Sequence, residues 1–206
     1  MKLLEQHYVK LRDLLPPSRV EHSLRVADAA VRIATKCLPG YLDEIRVAAL
    51  LHDVAKGCPT EKAVDILGNI DGITSDDIAT ASVHHALIAP EFIRQYFPEF
   101  ATHNVLSSAF NHTTGAPDMS VFDQIIFVAD YVEDGRDYSS CIRVRHRLYD
   151  ALESARDNAG CVKILRRTVK AILELTVSYI RKNASQINER TLATLAAFSD
   201  EENFLD

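Results

Sequence analysis

The stretch ALLHDVAKG, residues 49–57, decides how the chain is read. Its apolar residues and helical character set His52 and Asp53 side by side against an apolar wall. An ionised carboxylate there costs several kcal/mol unless something pairs with it. The question is what pairs with Asp53.

The rest of the chain narrows the answer. Its 206 residues suit one compact domain, and 47% apolar with 25% charged residues is ordinary for a globular protein. No apolar run reaches the roughly 20 residues needed to span a bilayer, so no membrane role is expected. The opening MKLLEQHYVKLRDLL lacks the apolar core of a signal peptide, and a cytoplasmic protein is expected. Cys37, Cys58, Cys141 and Cys161 are scattered with no CxxC, which reads as reduced thiols. A net charge of −6 opposes nucleic-acid binding but leaves room for a locally positive cleft and a small anionic ligand. The basic runs RVRHR (143–147) and RRTVK (166–170) read as solvated or dimer-facing helix surface.

Apolar residues recur at helical spacing, with only seven glycines, and alternating β-type runs are nearly absent. Helices are expected over about 3–15 and 19–36, the second opened by a Ser18/Glu21 capping box. Asp43 is expected to cap the helix carrying the opening stretch, with Gly57 at its C′ position. Further helices are expected over 60–67, 76–85, 87–97 and 102–111. The segment NHTTGAPDMS is a loop by its content, and Ser120 with Asp123 forms a capping box for VFDQIIFVADYV. That helix is apolar nearly all round and so central. EDGRDYSS is a loop, and helices over 141–155, 160–182 and 186–198 complete the chain before a fraying SDEENFLD tail.

A lone His-Asp dipeptide is weak evidence, but the surroundings strengthen it. Adjacent helical residues project about 100° apart, so both can reach an ion lying between them. Imidazole with carboxylate suits Fe, Mn, Co or Zn. Such an ion needs more ligands, and His22, His84-His85, His112 and Asp130 fall on other helices. Asp130 repeats the puzzle, an acid where the pattern demands burial. Taken singly, each residue reads better as a hydrogen-bonded histidine, a salt bridge, a cap or a surface group, and only the joint pattern reverses that. Several helices of a bundle can bring them together.

The pattern H…HD…H…H…D resembles the HD-domain superfamily of metal-dependent phosphohydrolases. RVEHSLRVADAAVRIA, AALLHDVAKG and NHTTGAPDMSVFDQIIFVADYVEDGRDY together are similar to the YqeK family, the symmetrical bis(5′-nucleosyl)-tetraphosphate hydrolases. The likeness runs from about residue 18 to about 198. It implies an all-α HD-domain bundle of roughly eight to ten helices. It also implies one domain over 1–206, with a metal-binding core at 18–137 and helices 141–198 packed on it.

The resemblance implies His22, His52, Asp53 and Asp130 as ligands of iron, one or two ions, with Mn or Co as substitutes. His85 is the better match to the next family histidine, although the doublet keeps His84 in contention. His85 and His112 would face the substrate phosphates or complete a second metal site, and Asp53, His85 and His112 are the implied catalytic groups. Arg19, Lys56 and Arg136 match phosphate-contacting positions, and LELTVS (173–178) matches a nucleotide-lining segment more softly. Cys58-Pro59 and the double histidine depart from the family pattern. The implied reaction is attack of a metal-bound hydroxide on a phosphoanhydride, cutting diadenosine tetraphosphate into two ADP. Another nucleotide as substrate, oxidative chemistry at a di-iron site, and a silent nucleotide-binding module remain open alternatives. A homodimer is expected.

Overall fold

In the computed structural model, which describes residues 4–183 and 185–205, eleven α-helices and no strands appear among the described residues. They are α1 Glu5–Leu14, α2 Pro17–Cys37, α3 Leu42–Leu51, α4 Thr60–Leu67, α5 Ser75–Ala79 and α6 His84–Tyr96. Then follow α7 His103–Asn111, α8 Val121–Val132, α9 Ser139–Ser154, α10 Asn158–Lys182 and α11 Glu189–Ala197. The all-α expectation holds. The count exceeds eight to ten, and α5, only five residues long, is the most marginal addition.

α8 is the centre. Its run from Phe122 to Ala129 is buried without a break, and α2, α3, α7, α9 and α10 all pack on it. A helix with no polar stripe gains most by being surrounded. The Ser120/Asp123 capping box forms as expected, with each partner accepting the other's backbone N–H at 2.9–3.1 Å. α2 lies against both α3 and α8 through Val26, Ala27, Ala30, Ile33 and Ala34. No described helix is long and apolar enough to cross a membrane.

Several local expectations are corrected. α2 begins at Pro17 with Pro16 in the cap position, so Ser18 and Glu21 form no capping box. Proline at the first helical position loses nothing, since its missing N–H would be unpaired there anyway. Asp43 sits in the first turn of α3, and Tyr41 occupies the cap. α3 stops at Leu51. From there Val54, Lys56 and Cys58 donate to carbonyls three residues back, at 2.8–3.1 Å, and Gly57 has no left-handed φ. His52 and Asp53 therefore stand at the end of a helix rather than inside one. The expected helix over 76–85 breaks at Thr80 into α5 and a 3₁₀ turn, Ala81–Val83, that leads into α6.

Over its described residues, 199–205, the tail does not fray; Asp206 lies outside the described residues. Phe198 and Phe204 are buried, Arg166 bonds Glu201 at 2.5 Å, and Arg167 donates to the Asn203 carbonyl at 2.7 Å. The basic run RRTVK is thus spent on the chain's own C-terminal segment. In RVRHR, Arg145 donates to the carbonyls of Val132 at 2.6 Å and Arg136 at 2.7 Å, and also to that of Glu133. This correction has a common cause: loop and tail carbonyls need donors, and long arginines on neighbouring helices supply them.

α11 ties two distant segments together. Asp77 is wholly buried, caps α5 through Thr74, and accepts from Arg190 at 2.9–3.0 Å and from Asn188 at 3.1 Å. Arg190 also bonds the Gly72 carbonyl at 2.6 Å and lies over the Phe110 ring. One turn on, Thr194 presses against Gly115, whose φ of 68° and lack of Cβ permit the contact. Burial alone would raise the Asp77 pKa, but Arg190, the Thr74 N–H and Asn188 bring it below the ordinary value.

Removing Arg190 leaves a buried carboxylate without its main partner. Arg190→Met should cost about 3 kcal/mol of stability at neutral pH in denaturant titration. The Asp77 pKa is lower folded than unfolded. The pairing therefore stabilises fully above about pH 4 and is lost as pH falls through the folded value. The gap between wild type and variant should close in acid. A gap that is constant with pH would assign the loss to packing instead.

Candidate metal centre

Four helix ends and one helix middle deliver the site. His52 and Asp53 follow α3, His85 starts α6, His112 follows α7, Asp130 lies in the last turn of α8, and His22 sits within α2. All six come together. His52 is fully buried and Asp53 is 3% exposed by side chain. Asp130 is less enclosed than its apolar setting suggested, with its side chain 21% exposed to the cleft. His84, by contrast, turns its Nε2 to the Ile78 carbonyl at 2.9 Å, away from the cluster.

Two groups of donors lie close enough to share an ion: His22, His52 and Asp130, and His52, Asp53 and His112. Within each, the ligand atoms lie inside 4.8 Å of one another. Asp53 faces both sides. Its Oδ2 lies 3.9 Å from His52 Nε2 and 4.0 Å from His22 Nε2. Its Oδ1 lies 3.3 Å from His85 Nε2, 3.5 Å from His112 Nε2 and 3.8 Å from Lys56 Nζ. Asp130 Oδ1 is 3.0 Å from His22 Nε2 and 2.7 Å from Arg136.

The histidines are anchored by their other nitrogen. His52 Nδ1 donates to the Ala49 carbonyl at 2.6 Å, and His112 Nδ1 to the Ala109 carbonyl at 2.7 Å. Both carbonyls belong to final helical turns, where oxygens lack an intrahelical partner. That bond assigns the proton to Nδ1 and leaves the Nε2 lone pair facing the cluster. The Nε2 atoms of His22 and His52 are buried and have no hydrogen-bond partner. Buried polar atoms are ordinarily satisfied. Unpaired imidazole nitrogens aimed at two carboxylates are what a cation would complete, so the donor set fits a metal ion.

Electrostatics divide the histidines: burial would lower the His22 pKa, but Asp130, Asp53 and Glu133 raise it above the ordinary value, whereas His52 and His85 are lowered. Burial pushes the His52 pKa down to about 4, His112 adding to the effect against the pull of Asp53 and Asp130. His52 is therefore neutral and free to coordinate at neutral pH. Burial, His112 and Lys56 take His85 well below its ordinary value. Burial would raise Asp53, but His52, His112 and Lys56 hold it far below the usual carboxylate range. His22, Arg136 and His52 do the same for Asp130 against its burial. Lys56 is lowered by burial, with Arg19 and Arg136 adding to the effect, against Asp53 and Asp130.

The cluster opens into a cleft of about 330 Å³ lined by Arg19, Lys56, Arg136, Phe127, Tyr131, Ile172 and Thr176. Arg19 lies 3.5 Å from Asp53, and Thr113 Oγ1 is 3.2 Å from His85. The soft expectation for 173–178 is met by Thr176 alone among the lining residues, with Ile172 just outside it. A larger concavity of about 470 Å³, lined by Lys62, Ile66, Phe92 and Gln95, carries no such donor set among its described residues.

Sequence reasoning missed Glu133, which bonds His22 Nδ1 at 3.2 Å. The signal was present: an acid three residues past Asp130, directly after the most buried helix.

The family model for the HD domain matches residues 19–135, more than half the chain. The chain belongs to the HD domain family. This HD protein is similar to a symmetrical bis(5′-nucleosyl)-tetraphosphatase of Staphylococcus aureus, 27% identical over 89% of this chain and 88% of that one. Another of the same name, from Halalkalibacterium halodurans, is 26% identical over 87% of this chain and 88% of the relative. Its fold is that of an HD superfamily hydrolase from Clostridium acetobutylicum solved by crystallography, with TM-score 0.81 and 24% identity over 98% of this chain and 100% of the other.

Metal retention tests the donor set. Asp53→Ala should abolish retained metal, measured by elemental analysis of purified protein. It should also erase the part of the melting temperature that a chelator removes from wild type, since binding to the folded state alone stabilises it. A variant with its full metal complement would remove Asp53 from the ligands.

Proposed function

We propose that this HD protein is a metal-dependent symmetrical bis(5′-nucleosyl)-tetraphosphatase, cutting diadenosine tetraphosphate into two ADP. One observation carries the reading: the donor cluster and the three cations Arg19, Lys56 and Arg136 share a single cleft. A phosphoanhydride is inert because its oxygens repel an anionic nucleophile, and both kinds of positive charge answer that repulsion. The relatives named for this reaction span nearly the whole chain and support the substrate class.

His22, His52, Asp53 and Asp130 would hold the ion, and Asp53 with His85 and His112 a second one. Iron is the proposed metal, with Mn or Co as substitutes, since mixed imidazole and carboxylate donors suit all three. Such a cation, when bound, neutralises phosphate charge and lowers the pKa of water beside it.

The protein's own groups do the rest. Lys56 aims an ammonium across the cluster, its Nζ 2.9 Å from His85 Nε2. Arg136 is braced on the Asp130 carboxylate and main-chain carbonyl, which fixes the plane of its guanidinium at the cleft. A planar fork of that kind grips two phosphate oxygens at once. Phe127, Tyr131 and Ile172 offer apolar surface to a base and ribose. About 330 Å³ is at the low end for ligand cavities. A nucleoside diphosphate half seated there would present the central anhydride to the donors, as a symmetric cut requires.

The whole chain, 1–206, is proposed to act as one HD domain. A cytoplasmic homodimer fits the free thiols of Cys37, Cys141 and Cys161, all buried, and the prevalence of two-fold assemblies. Nucleic acid is set aside, because both basic runs are spent largely on the chain's own carbonyls and acids.

Incubation of metal-loaded protein with diadenosine tetraphosphate should yield ADP alone. ATP plus AMP would mean attack at another phosphorus, and bound nucleotide without turnover would mean a non-catalytic module. Lys56→Ala should keep its metal but lose at least about tenfold in kcat/KM, the weight of one charge-assisted phosphate contact. Metal loss in that variant would move Lys56 from substrate binding to the metal centre.

A further inference from the structure

We propose that Glu133 is a positioning residue for the metal ligand His22, fixing which ring nitrogen faces the ion. The inference rests on the metal-centre reading above and goes beyond it in naming what orients the ligand.

His22 differs from the other anchored histidines in where it stands. His52 and His112 follow helix ends and use free carbonyls three residues back. His22 lies in the second turn of a 21-residue helix, where the carbonyls behind it are engaged within the helix. Its Nδ1 needs an acceptor from elsewhere. Glu133, 3% exposed by side chain, supplies Oε1 at 3.2 Å. Its second oxygen accepts from Arg25 Nε and from the Gly135 N–H, both at 2.6 Å.

That arrangement leaves the carboxylate no freedom. It is bonded at both oxygens and charge-balanced by Arg25. Burial would raise its pKa, but Arg25, the Gly135 N–H and His22 hold it below the ordinary value. The guanidinium lies across Gly135 so closely that an added Cβ would sit 2.4 Å from Arg25 Nε. Three of the four residues of EDGR thus have a role. Glu133 holds His22, Gly135 makes room for Arg25, and Arg136 braces Asp130.

The consequence falls on Nε2. With Nδ1 directed to Glu133, Nε2 is the nitrogen left to face an ion, and it points at Asp130, 3.0 Å away, and Asp53, 4.0 Å away. It has no hydrogen-bond partner there. Asp130 and Glu133, three apart at the end of α8, therefore address the two nitrogens of one ring. Carboxylates behind metal-bound histidines fix the tautomer and raise ligand basicity, and their loss weakens metal affinity 10–100-fold.

The test titrates metal-free protein with Mn²⁺ and reads the half-saturation point and the release rate into a chelator. Circular dichroism and melting of the metal-free forms check the fold. Glu133→Ala should weaken Mn²⁺ binding by roughly 10–100-fold. Glu133→Gln, which keeps the shape and an accepting oxygen, should recover part of that loss. On a His22→Ala background, Glu133→Ala should add little, because the effect passes through His22. Wild-type affinity in Glu133→Ala, or an undiminished loss on the His22→Ala background, would overturn the proposal. Failure of the underlying reading looks different: wild type itself would take up no Mn²⁺.

Discussion

The fold turns on the burial of two carboxylates, Asp53 and Asp130, beside its most apolar helix. Neither acid is tolerable there alone. Their compensation is divided between fixed cations, Arg136 on Asp130 and Lys56 with Arg19 on Asp53, and imidazoles, of which burial holds His52 and His85 below their ordinary pKa while the surrounding acids raise that of His22. A fully buried His52 with its pKa near 4 cannot cancel a carboxylate's charge at neutral pH. It can only offer a lone pair. Packing that favoured stability alone would have used another guanidinium, so the choice of imidazole points to an ion held in common.

Helix ends make that choice workable. A bundle whose axes converge on one point brings final turns there, and final turns carry unpaired carbonyls. His52 and His112 each use one to fix the tautomer, so backbone geometry that any helix provides becomes orientation of a ligand. The helix containing His22 has no such carbonyl to lend at that position, and the chain recruits Glu133 from the end of α8. The same loop then needs Gly135 for Arg25, and Arg145 from α9 to satisfy its carbonyls. One ligand's environment in this way reaches across four elements.

The all-helical class, the central helix and the gathering of His22, His52, Asp53, Asp130, His85 and His112 were legible in the sequence. The first two depend on patterns carried by the residues themselves, the apolar period and a capping box at Ser120; the third rests on the resemblance to the HD pattern as much as on the paired acids and histidines. Less legible was whatever depends on partners distant in the chain. Ser18 and Glu21 have capping chemistry, but Pro16-Pro17 set the start of α2 two residues earlier. Gly57 looked like a helix terminator, whereas α3 had already ended at Leu51 so that His52 and Asp53 could turn inward. RRTVK read as solvated surface because its partners, the carbonyl and carboxylate groups of 199–203, lie 29 to 36 residues away. The His84-His85 ambiguity was a matter of one residue's direction, and only the turn at Ala81–Val83 decides it.

Burial then divides the labour within the site. His52, Asp53 and His112 are almost sealed from solvent, and such groups can serve only what is already inside. Arg19, Arg136 and Lys56 are 43%, 35% and 33% exposed, enough to meet a ligand that arrives from outside. Each of these cations also touches one of the buried acids, so a phosphate that draws the cation outward loosens its hold on the carboxylate. The released carboxylate charge would then fall on the ion alone. On the proposed function, substrate charge and metal charge would be coupled through Asp53 and Asp130.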